Sequence, residues 1–177
     1  MRVRLVPPLF LVLLLLMALV AVPIPGRAQI PPWEIEKLPS TPAPPFSLPD
    51  LQGKQIASTA FQGRVLLVNF WATWCAPCRN EMAALDRLQR KYQEQGLTVI
   101  GISIDQDLGP VKQFLETVKV GFPILHDPGM TSHDAYKVYS YPTTFLVDRK
   151  GIIRQYWIGI QEWEGEEVGK ILQGTLR

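Results

Sequence analysis

The chain has 177 residues, enough for one domain with a sizeable core after a leader and a linker are set aside. It carries 18 Lys and Arg against 16 Asp and Glu, but Arg2, Arg4 and Arg27 lie in the first 28 residues. Without these three the balance is 15 to 16, so no basic face remains to indicate a nucleic-acid partner. The two cysteines are too few for a disulfide-scaffold protein.

Residues 1–28 are predicted to be an export signal or a membrane anchor. Arg2 and Arg4 make a basic start, and the uncharged, mainly apolar stretch that follows to Gly26 is typical of an export signal. As a helix this stretch would reach about 33 Å, close to the thickness of the hydrocarbon core, which favours retention over cleavage near Ala28. In both cases the rest of the chain is expected outside the cytoplasm, in the periplasm or on the outer face of the cytoplasmic membrane.

Residues 29–45 are predicted to be a linker because prolines are dense there, and such a stretch favours extended, semi-rigid chain. Residues 46–177 are predicted to form one domain of alternating strands and helices. The predicted elements are a hairpin around 50–53, strands at 65–71, 97–104, 122–125, 143–148 and 152–158, and helices at 81–95, 110–118, 131–139 and 163–176. This order indicates an α/β fold with a central mixed sheet and helices on both faces.

Cys75 and Cys78 stand where the strand at 65–71 gives way to the first helix. A helix N-terminus carries partial positive charge and free N–H groups, and both favour a thiolate at Cys75, which is the nucleophilic form. Cys78 lies one turn further along and is placed to attack a mixed disulfide and release the substrate. Pro77 suits the first turn, where its missing N–H costs nothing. The pair therefore predicts thiol–disulfide exchange.

Other interpretations of the pair stay open. A structural disulfide across so short a loop would constrain the unfolded chain by only about 2 kcal/mol. A zinc site needs two more ligands, for which the chain offers His126, His133 and carboxylates. A copper-binding chaperone would use the two thiols with a distant histidine. A peroxiredoxin-like peroxidase needs a cysteine in a Thr/Ser-rich loop, and the Trp-Cys-x-x-Cys pattern argues against it.

Two motifs together resemble the TlpA/ResA branch of the thioredoxin-like family, and the resemblance extends over residues 45–177. The motifs are Val68-Asn69-Phe70-Trp71-Ala72-Thr73-Trp74-Cys75-Ala76-Pro77-Cys78-Arg79 and Tyr141-Pro142-Thr143-Thr144-Phe145-Leu146-Val147-Asp148. The resemblance implies a thioredoxin-like fold with an extra N-terminal hairpin and a central strand–helix insert. It also implies an extracytoplasmic enzyme that reduces disulfides in exported proteins, apocytochromes c among them. A membrane electron donor of the DsbD/CcdA type would recharge it.

The resemblance also implies where substrate would bind. Pro142 matches the family's cis-proline, which faces the cysteine pair and exposes the backbone of Tyr141 to an incoming peptide. A proline that only begins a strand is the alternative. Trp74, Ala76 and Pro77 are expected to complete the substrate-binding surface. Trp71 has two interpretations, as a partly exposed wall of the site or as part of the core.

Glu81 matches a glutamate that tunes the thiol pair in ResA-like proteins. Asn69 stands where cytoplasmic thioredoxins place a buried aspartate, so the usual internal proton acceptor is absent. The alternative for Glu81 is an ordinary acid that the helix dipole favours. The resemblance implies no cofactor beyond a redox-active Cys75–Cys78 disulfide, and the protein is expected to act as a monomer.

Overall fold

The computed structural model describes residues 40–177, so the predicted leader and most of the predicted linker lie outside the described residues. The elements in chain order are β1 (Ser47–Pro49), β2 (Gln55–Ala57), β3 (Val65–Trp71), α1 (Ala76–Tyr92), β4 (Leu97–Ser103), α2 (Leu108–Thr117), β5 (Ile124–His126), α3 (Thr131–Ala135), β6 (Thr143–Val147), β7 (Ile153–Ile158) and α4 (Glu166–Leu176). None of the helices within residues 40–177 is both long enough and apolar enough to cross a membrane.

The central sheet has the strand order β5-β4-β3-β6-β7. Strand β3 runs parallel to β4 and antiparallel to β6, so the sheet is mixed, as the sequence predicts. Strands β1 and β2 form a separate antiparallel hairpin in which Leu48 pairs with Ile56. At its turn the Asp50 carboxylate accepts the N–H groups of Gln52 and Lys54, which fixes the tight bend. The predicted hairpin is therefore confirmed.

Strand β3 is buried along its whole length because both faces of the sheet are covered. Leu67 and Trp71 belong to the core shared with α1, α2 and α4. Val68 and Phe70 belong to the opposite core, which contains side chains of β1 and of the residues that follow α3. A strand covered on both faces needs apolar residues without alternation, which explains the continuous apolar run in the sequence.

Helix α1 begins at Ala76, five residues before the predicted start. Cys75 is its N-cap, and the Cys75 sulfur accepts the backbone N–H of Cys78 at 3.3 Å. The predicted bounds began late because they depended on apolar spacing, whereas the prediction that Cys75 stands at the helix N-terminus, with Pro77 in the first turn, is confirmed. The helix ends at Tyr92, and after a short 3-10 turn Gly96 takes a left-handed φ of 97°.

Other predicted boundaries were wrong by a few residues for local reasons. Helix α2 begins two residues before Pro110, which lies in the first turn, where a backbone N–H has no helical partner. Helix α3 ends at residue 135 and not at 139, and Lys137 follows it with a left-handed φ of 55°. Helix α4 begins at residue 166 and not at 163, after an extended Gly165. Strand β5 begins two residues later than predicted.

The end of the predicted linker contacts the domain at the edge of the sheet. The N–H of Ser40 donates to the carbonyl of Ile153 at 2.7 Å, and the N–H of Ala43 donates to that of Gly151 at 2.8 Å. Residues 40–43 are thus hydrogen-bonded to the start of β7, at the opposite edge of the sheet from β5.

Gly101 in β4 generates a prediction about packing. A Cβ atom there would lie 2.7 Å from Ile124 Cδ1, 3.2 Å from Trp71 Nε1 and 3.3 Å from a Phe122 ring carbon. Because this overpacks the core, Gly101→Ala should lower the free energy of unfolding by about 1–3 kcal/mol. The measurement is urea unfolding followed by circular dichroism.

The matched control is Gly174→Ala in α4, where a Cβ meets nothing within 4 Å. This change should raise stability by about 0.5–1 kcal/mol, since glycine weakens a helix interior. Equal urea midpoints for the two variants would contradict the packing argument.

Candidate active site

The cysteine pair lies at the end of β3 and the start of α1. Cys75 and Cys78 form a disulfide, with Cys75 7% exposed and Cys78 fully buried. The backbone N–H that reaches the Cys75 sulfur belongs to the first turn of α1. Such a donor, together with the helix dipole, stabilises negative charge on that sulfur when the pair is reduced.

The loop that leads into Cys75 is held from two sides. The Asp105 carboxylate accepts the backbone N–H of Thr73 at 2.9 Å and its hydroxyl at 2.5 Å. The Ser103 hydroxyl also donates to Asp105, at 2.8 Å. On the other side, the Arg79 guanidinium donates to the carbonyl oxygen of Thr73. This clamp fixes the position of Cys75, two residues further along.

Sequence reasoning missed this clamp. Asp105 is 4% exposed and follows the carboxyl end of β4, the parallel neighbour of β3. Parallel strands present their carboxyl ends at the same edge of a sheet, which brings Asp105 next to the loop after β3. A polar Ser-x-Asp pattern at the end of a buried strand was the available signal.

Glu81 lies inside the protein, with only 3% of its surface exposed. One carboxylate oxygen accepts the Asn69 side-chain N–H at 2.8 Å, and the other accepts the Trp163 indole N–H at 2.9 Å. Burial raises the pKa of Glu81 to about 7, against the two hydrogen bonds from Trp163 and Asn69, which lower it. The carboxyl group can therefore both hold and release a proton near neutral pH.

Asn69 connects the Glu81 carboxyl to the strands beneath it. Its side-chain nitrogen donates to Glu81 and also to the hydroxyl of Thr144 on β6, at 2.9 Å. Sequence reasoning identified Glu81 and Asn69 but missed Trp163 and Thr144. No local pattern indicates these partners, because they lie 82 and 75 residues away from the groups they contact.

The predicted substrate-binding residues lie around the disulfide. The Tyr141–Pro142 peptide bond is cis, as predicted. Tyr141 packs against the cluster that contains both cysteines, and its ring meets the Trp74 ring edge to face at 5.6 Å. Trp74 is 63% exposed, and Ala76 and Pro77 are exposed beside it.

Trp71 is part of the core and not a wall of the site. It is fully buried, and its ring packs against Phe114 of α2 at 5.5 Å. Its interpretation as a partly exposed wall residue is wrong because α2 covers that face of the sheet.

The two histidines, which the sequence offered as zinc ligands, are both buried and make separate contacts. His126 Nε2 lies 2.7 Å from the carbonyl oxygen of Asp105, and His133 Nδ1 lies 2.7 Å from the Asp134 carboxylate. Across residues 40–177, no group of three or more His, Cys, Asp and Glu side chains is arranged to hold a metal ion.

Comparisons with known proteins show which family this chain belongs to. The model of the AhpC/TSA family matches residues 39–156. The thiol-disulfide oxidoreductase ResA of Bacillus thuringiensis subsp. konkukian is 36% identical over 135 residues, which cover 76% of this chain and 75% of that protein. The thioredoxin-like protein YneN of Bacillus subtilis is 41% identical over 120 residues, which cover 66% of this chain and 69% of that protein.

Solved structures show the same fold. A putative thiol:disulfide interchange protein DsbE from Chlorobium tepidum has a TM-score of 0.74 and 29% identity, covering 78% of this chain and 98% of that one. The resemblance of the two sequence motifs to the TlpA/ResA branch is thus confirmed. This chain belongs to the AhpC/TSA family, as a ResA-like thiol–disulfide oxidoreductase of thioredoxin-like fold.

Proposed function

We propose that this enzyme works outside the cytoplasm and reduces disulfides in exported proteins such as apocytochromes c. A membrane electron donor of the DsbD/CcdA type would return the Cys75–Cys78 disulfide to two thiols. The observation that carries the proposal is the position of Cys75 as the N-cap of α1, with its sulfur accepting the N–H of Cys78. The reductive direction and the substrate class rest on the likeness to the TlpA/ResA branch.

The proposed reaction has two steps. The Cys75 thiolate attacks one sulfur of the substrate disulfide, which forms a mixed disulfide and releases the other substrate sulfur as a thiolate. Cys78 then loses its proton and attacks the Cys75 sulfur, which forms the Cys75–Cys78 disulfide and releases the second substrate thiolate. Two electrons pass from the enzyme to the substrate, and both substrate sulfurs take up protons.

Glu81 is proposed to handle the proton of Cys78. The two residues lie three positions apart on α1, so they are neighbours on its surface. A carboxyl group whose pKa is about 7 can accept the thiol proton as Cys78 becomes a nucleophile and can give it up afterwards. Asn69 and Trp163 hold the carboxyl in place during this exchange.

Substrate is proposed to bind on the surface formed by Trp74, Ala76, Pro77 and Tyr141, beside Pro142. This surface is exposed at Trp74 and at the first turn of α1, directly next to Cys75. An exposed aromatic side chain at a redox pair suits an unfolded segment with apolar residues around its cysteines.

The first prediction from the proposed function tests the attacking cysteine and the substrate class together. The full chain carrying Cys78→Ser should trap a mixed disulfide, through Cys75, with a peptide that contains an oxidised Cys-x-x-Cys-His sequence. Without Cys78 the intermediate cannot resolve. The measurement is non-reducing electrophoresis followed by mass spectrometry of the linked peptides.

Cys75→Ser is the matched control and should trap no peptide. Trapping by Cys75→Ser in place of Cys78→Ser would reverse the assignment of the two cysteines. Rapid turnover of hydrogen peroxide by the wild-type chain, without reduction of the peptide, would instead favour the peroxidase alternative.

The second prediction concerns the stability of the oxidised protein between pH 4.5 and 7. The Glu81 pKa is about 7 in the folded state and 4.5 as an ordinary value, so the folded protein binds this proton more tightly. The resulting stabilisation is complete below pH 4.5 and is lost as the pH rises through 7. The free energy of unfolding should therefore fall across this interval by at most about 3 kcal/mol, relative to Glu81→Gln.

Urea unfolding at a series of pH values measures this difference, and Glu116→Gln on the exposed face of α2 is the control. In the reduced protein, Glu81→Gln should also lower the apparent pKa of the thiols, because it removes a negative charge beside them. Thiolate absorbance with single-cysteine variants measures that effect. Parallel stability curves and identical thiol titrations would leave Glu81 as an ordinary helix-start acid.

The third prediction concerns residues 1–28, which support the proposed location through their basic start and uncharged stretch. The chain is expected to keep this segment and to be found in the membrane fraction at the mass of the full sequence. Intact-mass spectrometry of protein from the native membrane fraction checks this. A soluble chain that begins near Gln29 would show a cleaved signal, and a full-length chain in the cytoplasm would contradict export.

A further inference from the structure

Three rings lie in a row beside the redox pair. Trp74 meets Tyr141 edge to face, with ring centroids 5.6 Å apart. Tyr141 also packs against the imidazole of His133, with centroids 5.7 Å apart and planes inclined by 32°. Exposure falls along the row, from 63% at Trp74 to 8% at His133. The indole at the surface is therefore connected to a buried imidazole through the residue that precedes Pro142.

The imidazole of His133 is held through both its ring and its backbone. Nδ1 lies 2.7 Å from the Asp134 carboxylate. The backbone N–H of His133 donates to Asp127 at 3.1 Å, and Asp127 also accepts the backbone N–H groups of Thr131 and Ser132. Asp127 is itself buried, and its own N–H donates to the carbonyl of Ser103 at the end of β4. The ring thus has a fixed place relative to the central sheet.

A buried histidine at this place has a property that an aliphatic side chain lacks. The hydrogen bond to Asp134 fixes the plane of the ring, so the ring presents a defined face to Tyr141. Aromatic contacts depend on the relative orientation of the two rings. The orientation of His133 therefore restricts the orientation of Tyr141, and Tyr141 in turn restricts Trp74.

We propose that His133 is a positioning residue that determines how well the enzyme accepts a protein disulfide. It holds Tyr141, and through it Trp74, in the arrangement that receives a polypeptide next to Cys75. A small disulfide reaches the Cys75 sulfur without contacting Trp74 and Tyr141, whereas a protein substrate must pack against both rings. His133 therefore sets the preference for proteins over small disulfides. This inference rests on the proposed function, since it concerns the substrate side of the same reaction.

The test compares insulin with the small aromatic disulfide DTNB, using the reduced full-length chain. His133→Ala should lower the ratio of the two kcat/KM values, insulin over DTNB, by about threefold to tenfold, the range expected for one lost aromatic contact. The loss should lie in KM for insulin and not in kcat. His133→Phe keeps a ring against Tyr141 and should restore most of the ratio.

Asp134→Asn is a second variant, at a side chain that is 72% exposed, and it should lower the ratio in the same direction by a smaller factor. Gln113→Ala on the exposed face of α2 is the control and should leave the ratio unchanged. An equal loss with both disulfides, or a His133→Ala ratio equal to that of the wild type, would overturn the inference. A wild-type chain that reduces neither disulfide would instead contradict the proposed function.

Discussion

A buried carboxyl group one helical turn beyond Cys78 is the constraint on which the polar interior next to the redox pair depends. Removing Glu81 from water disfavours its charged form, and the fold offsets that cost with donors from two distant segments, Asn69 on β3 and Trp163 before α4. The choice of asparagine at position 69 follows from this arrangement. An aspartate there would bring a second carboxylate within about 3 Å of the first, and the two would compete for a single proton. Asparagine supplies an N–H donor instead and leaves Glu81 as the titrating group.

The position of Cys75 depends on a second set of polar contacts, at the carboxyl ends of β3 and β4. A sulfur that caps a helix benefits from the helix N–H groups only if the chain before it is held in place, and a loop has few contacts of its own. The parallel pairing of β3 and β4 brings the Asp105 carboxylate against Thr73, while Arg79 of α1 holds the carbonyl of the same residue. The Glu81 carboxyl and the position of Cys75 thus depend on separate sets of polar groups.

The sequence allowed the cysteine pair and the order of the elements to be predicted because both depend on local residue types, whereas the cis bond before Pro142 was implied by the family resemblance. The place of Cys75 at the start of α1 was also predicted, whereas the apolar pattern alone put the start of this helix at Glu81. The place of Trp71 needed knowledge of α2, and the Glu81–Trp163 contact joins residues far apart in the chain. Long-range polar pairing leaves no periodic pattern, so the acid–base environment of Glu81 becomes visible only in the folded protein.

Exposed apolar side chains and buried polar groups lie at different depths around the cysteine pair. The large apolar side chains exposed in residues 40–177 are Trp74, Tyr139 and Ile160, and all three belong to segments that meet near Pro142. Trp74 contacts Tyr141, Tyr139 precedes it by two residues, and the N–H of Gly159 donates to the Pro142 carbonyl beside Ile160. Glu81 and Asn69 are buried, and their side chains hydrogen-bond instead to Trp163 and Thr144, which lie further along the same two segments. A substitution at the exposed Trp74 side chain therefore changes the surface next to Cys75 without removing a hydrogen bond from the buried Glu81 carboxyl.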